Sequence, residues 1–244
     1  MFFGLDPIHL AIMVGGLVLS LAASGYVKYK FSRGKAVALR SGRTGAEIAR
    51  AILRQNDITD VEVHEHQGFL SDHYNPGAKT LNLSPDVYNG RHAAAAGVAA
   101  HEVGHALQHA QGAFSMWMRT ILVYPAHFGS MLAPWLIIAA IMLSAGQRLV
   151  PDTWQHSLAL VGVFGFAVAL ACSLFIVVNE FDASRRAKLA LVTMGVTYPG
   201  EEDDTVAGVL NAAGMTYVAS AVIALMEMLY WAWQAGLIGN RRND

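Results

Sequence analysis

The chain has 244 residues, of which 54% are hydrophobic and 14% charged, with a formal net charge of −1. Soluble domains carry about 25% charged residues, so the shortage of charge points to a membrane protein. The near-zero net charge suggests no nucleic-acid partner, and the lone Cys172, set in an apolar run, excludes an internal disulfide framework and a cysteine-based zinc site.

In chain order, the first stretch able to span a bilayer is Ile8 to Val27. It lacks a basic leader region and an obvious cleavage site, which predicts an uncleaved anchor. Residues 28–118 then form the larger aqueous section. In "TGAEIARAILRQNDI", Thr44 followed by Glu47 predicts a capping box, and Ile48, Ile52 and Leu53 give a helical apolar face. "VEVHEHQG" alternates as a strand does. A turn is expected at Asn75-Pro76-Gly77, and a short strand around Thr80 to Leu83. Ser84-Pro85-Asp86 ends that strand and opens a short helix. A long helix follows, from about His92 to Gln111.

That helix contains "VAAHEVGHALQHA", residues 98–110. A helix turns about 100° per residue, so His101 and His105 lie roughly 40° apart on one face, one turn from each other. Two imidazoles so placed can reach one tetrahedral ion at about 2.0–2.1 Å. Glu102 flanks that position and can take a proton from an attacking water. Five-residue patterns of this kind also arise by chance on polar helix faces. Of the other histidines, His64 and His66 read as exposed strand positions, and His109 as a surface or supporting residue.

Three more apolar stretches follow: about Ile121 to Ala145, Leu158 to Val178, and about Ala213 to Trp233. Basic residues cluster after the first stretch, at Lys28, Lys30, Arg33, Lys35, Arg40 and Arg43, and after the third, at Arg185, Arg186 and Lys188. Arg119 precedes the second, and Arg148 alone sits between the second and third. Positive residues favour the cytoplasmic side, so both basic sections are expected there, with the N-terminus outside; Arg241 and Arg242 argue the other way. His127 and Glu227 fall inside predicted spans, where ionisable groups are costly. They are functional candidates, or a pair that fixes helix packing.

A zinc hydrolase with two histidine ligands needs a third protein ligand and an open fourth position. The predicted topology returns Glu180, 75 residues beyond His105, to the membrane face that holds the His101 helix. Asp182 is a competing ligand, and Glu180 paired with Arg185 at the end of a span is the structural alternative.

Six blocks, "TGAEIARAIL", "LSDHYNP", "LNLSPDVYNG", "GVAAHEVGHALQHAQG", "NEFDASRRA" and "VLNAAGMTYVASAV", occur in an order that resembles the bacterial "putative neutral zinc metallopeptidase" family of YugP-type multipass membrane proteins. The resemblance runs nearly end to end and implies a zinc-dependent membrane peptidase acting on proteins or peptides. A more distant similarity is to HtpX/Ste24-type membrane metalloproteases. There "KTLNLSPDVY" stands in the place of a substrate-binding strand and "EFDAS" in that of the third-ligand segment. Glu180 then matches the ligand glutamate, and Ser184 stands where that pattern has an aspartate.

These readings combine into a mainly α membrane protein with about four transmembrane helices and a small α+β gluzincin-like zinc-peptidase domain. The expected divisions are an anchor over 1–27, a cytoplasmic section over 28–118, two spans over 119–178, a cytoplasmic segment over 179–211 and a last span with tail over 212–244. One Zn2+ per chain is expected on His101, His105 and Glu180, with Glu102 as general base and His73, Tyr74 and Arg185 as candidate oxyanion stabilisers. A peptide is expected to pair with the strand at Lys79 to Leu83. The expected location is the bacterial inner membrane, with the active site facing the cytoplasm. The rivals are an intramembrane protease of the site-2 type and a non-catalytic metal-binding scaffold or transporter.

Overall fold

The computed structural model describes residues 6–112, 114–144 and 149–238, and in the helix over 114–143 the side chains of Ile121, Phe128 and residues 131 onward. The side chains of Arg119 and His127, and all of Arg148, Arg241 and Arg242, lie outside the described residues. The elements in order are α1 (Pro7–Lys35), α2 (Gly45–Gln55), β1 (Glu62–Glu65), β2 (His73–Asn75), β3 (Thr80–Leu83), α3 (Pro85–Tyr88), α4 (Ala93–Ala110), α5 (Phe114–Leu143), α6 (Trp154–Thr193) and α7 (Glu201–Gln234).

The chain divides into two compact units. One comprises Ala22–Met118 with Val178–Thr216, the other Met1–Leu21, Arg119–Val177 and Tyr217–Asp244. In the first, the buried face of α2 (Ile48, Ile52, Leu53) shares a core with Leu81 and Leu83 of β3, with Val103 of α4, and with Leu191 and Leu210. Helix α4 opens with four alanines, all fully buried, and such small side chains allow close packing on every side. His92 caps it, its ring accepting a hydrogen bond from the Ala95 N–H at 3.1 Å. Burial, and then the charge of Lys35, push the His92 imidazole down, so the ring stays neutral and can accept.

The capping box expected at α2 is complete: the Thr44 hydroxyl accepts from the Glu47 N–H at 3.2 Å, and the Thr44 N–H donates to the Glu47 carboxylate at 2.8 Å. Thr44→Ala should cost about 1 kcal/mol and lower Tm in detergent, leaving metal content unchanged. Thermal unfolding followed by circular dichroism checks this.

The sheet has the order β1-β3-β2, β1 parallel and β2 antiparallel to β3. This corrects one expectation. The strand at Lys79 to Leu83, expected to receive a peptide, is the middle strand, and both its edges are already paired. β2 was not anticipated; its residues read as part of the turn at Asn75. Ser84 precedes α3 but makes no side-chain cap. Its N–H and hydroxyl donate instead to Asp72, at 2.7 and 3.1 Å.

In the other unit, Ile137, Ile141, Phe166 and Trp231 are among the core residues. Glu227 accepts from the Trp231 indole N–H at 3.1 Å and meets the His9 ring at 3.3 Å, while Asp6 accepts from the Tyr230 hydroxyl at 2.8 Å and from the Gln234 amide at 3.1 Å. Glu227 thus has a partner in His9, on α1; the expected pairing with His127 involves a side chain outside the described residues.

Helices α1, α6 and α7 are long and apolar enough to cross a membrane. Ile8, Met13, Val14, Leu17, Val18 and Leu21 on α1 are each more than half exposed. A continuous apolar surface of that kind suits lipid and not water. In α5 the described apolar stretch is the shorter Met131–Leu143. Helix α6 does not stop where the third span was expected to end. It runs on without a break, so Glu180 and the basic residues after it are helical.

Candidate metal centre

Three donors from two helices meet inside the unit built on α4. His101 and His105 lie one turn apart on α4, and Glu180 projects from α6. His101 Nε2 is 3.2 Å and His105 Nε2 3.5 Å from Glu180 Oε2. One donor atom from each of the three residues lies within 4.8 Å of the others. A tetrahedral ion with bonds of about 2.0–2.1 Å holds its ligand atoms roughly 3.3 Å apart, which the observed separations match. His105 and Glu180 are buried, at 2% and 1% exposure. A carboxylate so enclosed needs a compensating positive charge, and a divalent cation between two imidazoles provides it. The donor set therefore fits zinc.

A glycine permits the convergence. A Cβ placed on Gly104 would sit 2.7 Å from the Ala183 carbonyl oxygen and 3.2 Å from its carbonyl carbon and Cα. With no side chain at that position, α4 lies directly against the α6 backbone one turn beyond Glu180.

Each histidine has a partner at Nδ1. His101 Nδ1 meets the Ser184 hydroxyl at 3.1 Å. Ser184, where the distant pattern carries an aspartate, thus supports the first histidine. His105 Nδ1 meets the Gln108 carbonyl oxygen at 3.0 Å. Asp182 is no ligand: its carboxylate accepts from the Gln108 amide at 2.9 Å, from Arg186 at 2.6 Å and from Arg185 at 2.7 Å. Burial raises the Asp182 carboxyl, but these hydrogen bonds outweigh it and hold the group at about 2. Arg185, the alternative partner of Glu180, is paired with Asp182 instead.

Glu102 is 9% exposed, and its Oε2 accepts a hydrogen bond from the Tyr74 backbone N–H at 2.9 Å. The base candidate is thereby held by the edge strand β2. Nearby, burial pushes the Asp72 carboxyl up; the Ser84 hydrogen bonds offset part of that, and the charge of Glu102 adds to the rise. The Tyr74 hydroxyl bonds His109 Nδ1 at 2.7 Å, and burial pushes the phenol up, so it stays neutral. His73 is exposed, its ring set between the Ser71 carbonyl oxygen at 2.8 Å and the Asn82 amide at 3.2 Å. The structure thus brings His101, His105 and Glu180 together and joins Tyr74 to Glu102 through its backbone, while the rings of Tyr74 and His73 are engaged elsewhere. Gln108, which contacts His105, was not singled out as a neighbour of the donor set. Its signal was the three-residue spacing from His105, which puts the two side chains side by side on one helix.

Among the described residues, three span-length helices and a buried histidine–histidine–glutamate donor set define a candidate membrane metallopeptidase. The chain belongs to the family described as "Putative neutral zinc metallopeptidase", whose model matches residues 9–236. It is 38% identical over 218 residues to "Putative membrane protease YugP" of Bacillus subtilis (strain 168), covering 89% of this chain and 92% of that protein. No solved structure matches the chain.

Proposed function

We propose that the protein is a zinc-dependent membrane metalloendopeptidase. The observation that carries this reading is the convergence of His101, His105 and Glu180 from helices α4 and α6, with Glu102 next to His101 in the chain. Zinc bound there supplies Lewis acidity, polarising a peptide carbonyl and lowering the pKa of water towards about 7.

The remaining chemistry belongs to the chain. Glu102 is anchored through Oε2 by Tyr74, which leaves Oε1 to take the proton from the attacking water. The same carboxyl then delivers that proton to the leaving amine. His101 and His105 act through Nε2, each with its Nδ1 engaged by a neighbour, as metal-binding histidines require. Peptide pairing along β3 is no part of the mechanism, because that strand has no open edge.

The charge pattern supports a cytoplasm-facing site in the bacterial inner membrane. Lys28, Lys30, Arg33 and Lys35 end α1, and Arg185, Arg186 and Lys188 follow Glu180 on α6. On this reading α5 is the fourth span, and the substrates are proteins or peptides cut near the membrane surface.

The full chain purified in detergent should contain about one zinc per protein, as a three-ligand catalytic site requires, and should cleave casein. A chelator should abolish cleavage and added zinc restore it. His105→Ala should lose both metal and cleavage. Zinc retained by His105→Ala, or casein cleavage that survives chelation, overturns the reading.

A further inference from the structure

Gln108 sits on α4 one turn beyond His105 and is fully buried. Its side-chain nitrogen faces two oxygens that can only accept: the Asn179 backbone carbonyl at 3.2 Å and Asp182 Oδ2 at 2.9 Å. Turning the amide over would set its oxygen against both acceptors and lose both hydrogen bonds. The nitrogen is therefore fixed on that side, and Oε1 is fixed against His105 Nδ1 at 3.0 Å. An amide oxygen accepts and cannot donate. His105 Nδ1 must then carry the hydrogen, and in the neutral ring, the form that binds a metal, the lone pair is on Nε2, the atom that faces Glu180.

Asp182 is itself held by Arg186 and Arg185, and Arg186 reaches back to Gln111 on the α4 side at 2.6 Å. The chain Arg186–Asp182–Gln108–His105 thus starts at a partly exposed guanidinium and ends at a buried ring. His101 differs. Its Nδ1 partner is the Ser184 hydroxyl, which can donate or accept, so that contact does not select a tautomer.

We propose that Gln108 is a positioning residue, anchored by Asp182, that locks His105 in the Nδ1-protonated tautomer and so presets its Nε2 to bind the metal. The proposal rests on the zinc-peptidase reading for its purpose, but the hydrogen on Nδ1 follows from the hydrogen bonds alone. It also gives a role to a carboxylate that does not bind the ion.

The test uses the full chain in detergent, stripped of metal and titrated with zinc against a chromogenic chelator. Gln108→Met keeps the volume and removes both the donor and the acceptor, and should weaken zinc binding about 10–100-fold, the usual effect of losing a partner behind a metal-bound histidine. Asp182→Asn, at a partly exposed position, should shift affinity the same way by less, and it carries the test if Gln108→Met does not fold. Alongside, NMR of the metal-free protein labelled in histidine ring nitrogen should show His105 as the Nδ1–H form. In Gln108→Met that signal should become a mixture of tautomers, a change that loss of packing alone does not produce. An Nε2–H signal for His105 in the parent protein, or unchanged zinc affinity in folded variants, overturns the proposal. A parent protein that takes up no zinc would defeat the peptidase reading, while the tautomer signal would still decide the role of Gln108.

Discussion

Glu102→Gln should bind zinc as tightly as the parent protein and hydrolyse peptides about 10²–10⁴-fold more slowly, the range lost when a positioned general base is removed. The substitution keeps the shape of the side chain. A carbonyl oxygen at Oε2 still accepts from the Tyr74 N–H, so β2 and α4 keep their link. What disappears is basicity at the other oxygen. The three donor atoms, on His101, His105 and Glu180, are untouched. The check is kcat on a quenched peptide together with zinc content by elemental analysis. Unimpaired kcat would remove Glu102 from the chemistry, and zinc lost along with activity would make it part of the metal-holding set.

Gly104→Ala should damage the site through packing. The added methyl would meet the Ala183 carbonyl oxygen at 2.7 Å, a backbone atom in mid-helix that cannot rotate away. Helices α4 and α6 must separate, and overpacking of this kind costs about 1–3 kcal/mol. The same shift pulls Glu180 from the histidines, so zinc affinity should fall by at least about tenfold, equivalent to about 1.4 kcal/mol. Gly97→Ala is the matched control on the same helix. Its methyl would meet the Val206 side chain at 3.4 Å, an ordinary contact. There the gain in helix propensity, about 0.8–1 kcal/mol, should leave the protein as stable or more so. A Gly104→Ala protein with parental Tm and zinc affinity would show that the close approach of the two helices is not needed.

The elements legible in the sequence were those with local signals. Thr44 and Glu47 announce their helix by spacing alone, and both bonds of the capping box are present. Alternation located the strand at Thr80–Leu83, and His101, Glu102 and His105 declare themselves through helical periodicity. The non-local features were harder. That β3 is the middle strand depends on β2, a three-residue segment inside a turn signature that carries no periodicity of its own. Glu180 was found as a ligand candidate by membrane topology, although the segment holding it was expected to be a separate aqueous section. It is a continuous helix, because Asn179 to Ala190 has good helix formers and no glycine or proline to stop it. The contact between Gly104 and Ala183, and the bond from Gln108 to Asp182, lie between residues more than 70 positions apart. No single-sequence pattern encodes such pairings.

Helix α6 presents Glu180 and Ser184, one turn apart, on the side that meets His101. No donor is carried by a loop; both halves of the set ride on continuous helices. Small zinc domains are disordered until the ion arrives, and their affinity is reduced by the entropy of ordering the chain. Here α4 is packed through apolar contacts that include no metal ligand, among them Ala93, Ala94, Ala96 and Val103. Demetallated protein should therefore keep its helical circular dichroism, and removing and restoring the metal should be a reversible exchange with no refolding of the chain.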